Sequence, residues 1–427
     1  MNVAIVGAGW AGLAAAVRLV EAGHHATVYE SARTPGGRAR ALDLALPDGR
    51  AVTVDNGQHI LIGAYTETLR LMRQVGVDPD STLLRLPLTL QFPDGAGLRL
   101  PRRLPVPLDV LAGILRADWP LHERLVLLRA ALGWKLAGFE CAPGLSVAQL
   151  CEPLGPQVCR ELIEPLCVSA LNTPAVQASA RVFLRVLRDA LFSVPGGSNL
   201  LLPRRDLGQL FPAAAIRWLQ QRGMAIHTGH RVTDLRASAN GWALDGRSWD
   251  AVLLACSSAE AARLVAGAAN GIPNAEALQG WARTASDLHF EAITTVYAWA
   301  PQARLAAPML ALRHDQEHPA QFVFDRGPLD GSHGLLAFVI SASRDAREWL
   351  QARVLQQAQA QLGLGLQAVQ TVVEKRATFA CTPQLQRPPA FIAPGLLACG
   401  DYVEGPYPAT LEGAVRSGVA AASALRP

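Results

Sequence analysis

An α/β fold in two domains, the first discontinuous and the second an α+β insert, is predicted by three observations. Residues 3 to 30, VAIVGAGWAGLAAAVRLVEAGHHATVYE, run strand, glycine turn, helix, strand. Two later stretches, 193 to 257 and 395 to 425, return to glycine turns, buried strands and Ala-rich helices. The long segments between them carry a different periodicity, and at 427 residues the chain has room for two domains of roughly 100–200 residues each.

Positions 2 to 7 read as a fully buried strand and Leu13 to Ala22 as a helix of Ala, Leu and Val. Between them Gly7, Gly9 and Gly12, interleaved with Ala8, Trp10 and Ala11, spell G-x-G-x-x-G. Gly7 permits the tight turn, Gly9 lets backbone approach a pyrophosphate, and Gly12 allows helix to pack closely on strand. The helix N-terminus then offers free N–H groups and a positive dipole end to phosphates. HATVYE is the second strand, and Glu30 at its end, 18 residues after Gly12 and just before Ser31, is placed to bind a ribose diol. This is a Rossmann-like dinucleotide fingerprint in its proper context. Soon after come Gly36, Gly37 and Arg38, two glycines for close passage and a cation for phosphates.

Composition narrows the function. A net charge of +4 from mixed signs, with no clustered basic face, argues against nucleic acid. No basic leader segment precedes the first strand and no run of about 18–20 uncharged apolar residues occurs, so a cytoplasmic protein that does not cross a membrane is expected. Seven cysteines without a C-x-x-C pair suggest reduced thiols and no metal site. Half the residues are hydrophobic and 17% charged, which fits a large apolar pocket, a membrane-facing surface, or simply an Ala/Leu-rich chain.

The expected first domain comprises 1–82, 193–275 and 391–427, and the second 83–192 and 276–390. In the middle piece a glycine turn at Gly196 and Gly197 precedes a helix from about Leu207 to Gln221, then short strands. In the last piece a buried strand ends at Gly400 and Asp401, a loop carries Tyr402, Glu404 and Tyr407, and a helix containing Thr410, Leu411 and Ala414 follows. The second insert shows strand-like HFEAITTVYAWA, FVFDR and LLAFVISAS and a helix of about twenty residues after them. The first insert is mostly helical. Its stretch 104–139 interleaves Leu stripes and Trp119 and Trp134 with Arg116, Arg124, Arg129 and Lys135, which fits either helices lying in a bilayer interface or ordinary domain helices.

The stretch VDNGQHILIGAY places Asn56, Gly57, Gln58 and His59 in a turn after a strand, with Asp55 read as a structural cap. Only one complete dinucleotide fingerprint is present, so electrons must come from the substrate, with oxygen or quinone as acceptor, or from an external donor.

The pattern E-x5-G-G-R resembles the FAD-binding signature of the flavin amine oxidase and phytoene desaturase superfamily, which favours FAD over NAD. That resemblance implies that Val232 meets the adenine, Asp401 the ribityl-phosphate region, the D-x-G turn the flavin, and Thr410 and Leu411 the flavin N1–O2 edge. DNGQHILIGAY, VPGGSNLLLPRRDLGQLFPAAAIRWLQQRG and GDYVEGPYPATLEGAVRSG look like the bacterial squalene-associated FAD-dependent desaturase family, also called hydroxysqualene dehydroxylases. The resemblance implies loss of an allylic hydroxyl, hydride delivery from reduced flavin and a long-chain isoprenoid substrate; the single fingerprint adds an external electron donor, and the apolar composition with the stretch 104–139 adds a peripheral contact with the cytoplasmic membrane. A general acid is then needed, and His59, Tyr402, Glu404, Tyr407 or Glu412 could supply it. Two alternatives stay open: an oxidative desaturase of a carotenoid precursor, and a non-enzymatic prenyl carrier of the same fold.

Overall fold

The computed structural model describes residues 1–102, 104, 106–239, 241–270 and 275–425. Its first sheet has six strands in the order Ala225–Thr228, His25–Glu30, Asn2–Val6, Ala251–Leu254, Leu396–Ala398 and Phe391–Ala393. The first five run parallel and the last is antiparallel. Asn2–Val6 sits centrally with its last four residues buried, as a strand covered on both faces must be. One covering layer is the helix Trp10–Glu21 packed against the final helix, Leu411–Ala424. Small residues set that approach: a Cβ on Gly418 would stand 2.1 Å from the Ala11 carbonyl oxygen, so only glycine lets the two backbones meet. A three-stranded antiparallel meander, Leu235–Ser238, Gly241–Leu244 and Arg247–Trp249, lies beside the sheet.

The second large sheet is antiparallel, in the order Met309–Ala311, Phe322–Asp325, Leu335–Ser343, Phe290–Trp299 and Gln367–Phe379. Its two faces follow the period of two. Val323, Phe338 and Ile340 point to the helix Arg347–Leu362 and pack with Leu350, Val354 and Ala358. Their neighbours Phe322, Phe324 and Val339 point the other way, into a cavity.

Several sequence expectations need adjusting. The helix expected over 207 to 221 is two pieces, Leu207–Leu210 and Pro212–Gln220, because Phe211 leaves helical geometry (φ −146°, ψ −54°) ahead of a proline. The border expected between 82 and 83 crosses a small sheet in which Leu200–Pro203 joins Leu61–Ile62 to Leu83–Leu86. The border at 275 lies beside residues 271–274, outside the described residues. The long strand Gln367–Phe379, which closes the second sheet, has no counterpart in the sequence reading. Its half-exposed residues and the charges at Glu374, Lys375 and Arg376 hide the alternation a buried strand would show.

Candidate active site

One cavity of about 770 Å³ runs between the carboxyl ends of the parallel strands and the inner face of the antiparallel sheet. Ligand sites in open α/β sheets sit at that carboxyl edge. Its first half is built from main chain. Gly7 takes φ +113°, and a Cβ there would lie 2.6 Å from the Ala255 carbonyl oxygen. Gly12 does not border the cavity; its missing Cβ, which would fall 2.0 Å from the Gly7 oxygen, is what lets the first helix start against the strand. Gly9 is the N-cap of that helix without a side-chain cap, so the first N–H groups, at Trp10 and Ala11, face the cavity. Ala8 is also behind the lining: its N–H donates to Glu30 Oε2 at 2.8 Å and its carbonyl accepts from the Gly36 N–H.

Glu30 Oε1 accepts from the Ala32 N–H at 2.8 Å and the Ser31 hydroxyl at 3.3 Å, while Oε2 accepts only the Ala8 N–H at 2.8 Å, which leaves a lone pair on Oε2 for a hydroxyl donor. Ser31, Gly36 and Gly37 follow along the wall, and Val232 closes the end beyond Glu30. Arg38 borders the cavity but is ion-paired to Asp401, and it donates to the Ala377 carbonyl at 2.8 Å. Asn56 ties these parts together, accepting from the Arg40 N–H and donating to the Arg38 carbonyl at 2.7 Å. At the far side Gly400, Asp401, Thr410, Leu411 and Ala414 border the cavity, and Thr410 Oγ1 caps the final helix by accepting from the Gly413 N–H at 2.9 Å. A glycine cradle, an uncapped helix N-terminus and a carboxylate with spare acceptor capacity fit a dinucleotide such as FAD.

The second half is built from side chains: Phe290, Ile293, Phe322, Phe324 and Val339, with Ser169, Asn172, Ser341 and Thr378 among its polar members. Between the halves lies the turn from Asn56 to His59. Gln58 Oε1 accepts from Arg326 at 2.7 Å, and Arg326, 1% exposed, is also paired with Asp330. The turn therefore rests on a buried guanidinium. Gly57 stands beside Thr295. Behind the turn, Asp55 Oδ1 accepts the Leu207 N–H at 2.8 Å and the Tyr297 hydroxyl donates to its carbonyl oxygen at 2.7 Å. Burial pushes the Asp55 carboxyl up to about 7 despite the nearby Arg326 charge.

His59 borders the cavity, and its Nδ1 lies 3.1 Å from the Gly57 carbonyl, which makes Nδ1 the protonated nitrogen. Burial, with the Arg38 charge as a smaller cause, takes the imidazole down to about 4. At neutral pH it is an uncharged ring with its one N–H committed to main chain. Tyr402 also borders the cavity, 3% exposed, with a buried hydroxyl that has no protein partner; burial keeps it protonated far above neutrality.

The other three proton sources lie elsewhere. Glu404 is exposed and outside the lining. Tyr407 sits outside it too, under the Arg416 guanidinium at 5.3 Å and directed to Asp189. Glu412 is fully buried and saturated: its oxygens accept from the Glu67 and Thr68 N–H groups, the Thr68 hydroxyl and Arg416. It caps the helix Thr66–Gln74 rather than serving a reaction.

The sequence reading did not reach the loop Ala255 to Glu260, which lines the cavity after the strand Ala251–Leu254, or Glu374 and Thr378 on the last strand. The first had a usable signal, since it follows a parallel strand at the ligand-binding edge. Trp119, which the sequence left either at a bilayer interface or in an ordinary domain helix, is 3% exposed and donates to Glu161 at 2.9 Å.

Comparison with known proteins agrees with this architecture. The family model described as flavin containing amine oxidoreductase matches residues 10–426. A hydroxysqualene dehydroxylase of Zymomonas mobilis is 27% identical over 98% of this chain and 97% of its own length. A chloroplastic zeta-carotene desaturase of Zea mays is 32% identical over 28% of this chain and 20% of its own. The crystal structure of an oxidoreductase from Methanosarcina mazei superposes with a TM-score of 0.74 at 16% identity, covering 99% of this chain and all of that one.

Proposed function

We propose, from the premise that the chain belongs to the flavin-containing amine oxidoreductases and is an FAD-dependent oxidoreductase, that it reductively removes the hydroxyl of hydroxysqualene to give squalene. The observation that carries this is the continuity of one cavity from the glycine cradle into a chamber walled by Phe290, Ile293, Phe322, Phe324 and Val339. The likeness to a hydroxysqualene dehydroxylase along nearly the whole chain supports the same substrate.

Reduced FAD, when bound, supplies hydride to an allylic carbon. The residues of this chain do the rest. Glu30, Gly9 and the helix N-terminus at Trp10 hold the dinucleotide, and the Gln58–Arg326 bond fixes the turn that separates it from the chamber. Phe290, Ile293, Phe322, Phe324 and Val339 exclude water, so an allylic cation left by the departing hydroxyl is not recaptured. Tyr402 is assigned the proton for that hydroxyl, because its O–H is buried, free of protein partners and protonated at neutral pH, whereas neutral His59 has its N–H engaged. Tyr402→Phe should lower turnover by roughly 10²-fold or more while leaving bound FAD unchanged in absorbance. Unaltered turnover would remove Tyr402 from the role. An external donor must reduce the flavin between turnovers.

The deciding experiment starts from protein whose flavin has been reduced with dithionite under anaerobic conditions. Reoxidation on adding hydroxysqualene, with squalene in the extract, supports the proposal. A flavin that stays reduced points instead to an oxidative desaturase, the reading that the partial match to a zeta-carotene desaturase favours.

A further inference from the structure

We propose that the helix pair Leu108–Arg116 and Leu121–Leu136 is a preformed docking surface for an anionic lipid bilayer. Among the described residues ten large hydrophobic side chains are exposed, and eight of them fall between 104 and 136. On the longer helix Leu121, Leu125, Leu132 and Leu136 are 55–80% exposed, and with half-buried Leu128 they follow i, i+4, i+7, i+11 and i+15, a single stripe. Leu108 and Leu115 continue it on the shorter helix. A contiguous apolar face of this kind on a water-soluble surface marks an interaction site.

The opposite face is tied down. Glu123, 4% exposed, accepts the N–H groups of Gln157 and Val158 at 3.0 and 2.9 Å, and Glu161 accepts from Trp119 at 2.9 Å and pairs with Arg313 at 3.1 Å. The leucines are therefore carried on a fixed platform. Burying Glu123 and Asp109 also removes two carboxylates from the outer surface. The exposed charges that remain on 108–136 are Arg116, Arg129 and Lys135 against Asp118 alone.

That rim selects the occupant. A second copy docked face to face by two-fold symmetry would set the basic rim against itself. Anionic headgroups complement it, while the leucines enter the acyl boundary. The docking rests on this surface alone and holds whatever hydrocarbon the cavity takes.

The test is flotation of the FAD-loaded protein with phosphatidylglycerol or phosphatidylcholine vesicles, beside light scattering without lipid. Wild type should float with phosphatidylglycerol and about tenfold less with phosphatidylcholine. Replacing Leu121, Leu125, Leu132 and Leu136 with Gln should weaken flotation by about tenfold or more, with flavin absorbance and unfolding temperature retained. Should that variant fail to fold, R129E together with K135E should give a similar loss. Wild type that stays in solution, or variants that float equally well, would overturn the proposal. So would a dimer that the leucine variant splits, since the face would then belong to a second copy.

Discussion

The two halves of the cavity are made of different materials. Around Gly7, Gly9, Gly36 and Gly37 the wall is main chain, and its shape depends on the absence of Cβ atoms. Around Phe322, Phe324, Val339 and Ile293 it is side chain, presented by strands that meet only after the chain has folded. The difference teaches where tolerance lies. At Gly7 and Gly36 the main-chain wall has no small change available, because an added carbon would lie 2.6 and 2.9 Å from another backbone oxygen. A side-chain wall can be reshaped residue by residue.

The sharpest way to break this contrast is Gly12→Ala. The new Cβ would sit 2.0 Å from the Gly7 oxygen, and the clash should destabilise the fold by about 3 kcal/mol and yield protein without yellow colour. A stable, FAD-loaded variant by thermal melt and absorbance would refute it. A smaller effect concerns the turn between the halves. In the unfolded chain His59 takes up a proton near pH 6.5, but in the folded protein only near 4. Between those values the unfolded state binds more protons, so stability falls as pH falls. After allowance for the partial exposure of His59 to the cavity, the loss by pH 4 should be about 2 kcal/mol. His59→Gln should flatten that slope in melts run across the range, and an unchanged slope would refute the assignment. The smallest effect belongs to the side-chain half. Ile293→Trp should keep FAD and unfolding temperature while cutting turnover of a long-chain substrate by roughly tenfold. Loss of FAD in that variant would show that the halves are not separable.

The same contrast explains what could be read from the sequence. Backbone constraints leave glycines at fixed spacing, so Gly7, Gly9, Gly12, Glu30 and the turn at Gly36 were legible. The chamber was not, because Phe322 and Val339 are ordinary strand residues until pairing turns them inward. Local signals misled where a tertiary contact decided the outcome. Trp119 reads as an interfacial aromatic but is drawn inward by Glu161, and Glu412 reads as an acid near a site but is taken up by the helix at Thr66–Gln74. The break at Phe211 was visible as Phe-Pro in the sequence, yet helical composition on both sides masked it.

One feature of the fold fixes the order in which this protein becomes functional. The strand Leu396–Ala398 pairs with Ala251–Leu254, and the final helix lies on the first through Gly418. During synthesis the nucleotide fingerprint is made long before the segment 396–424 that completes its support. Until then Ala251–Leu254 presents an open edge, and the first helix lacks its partner. Cofactor capture therefore waits for the segment 396–424 to fold onto the sheet. The interval before it is when the nascent protein most depends on protection from aggregation.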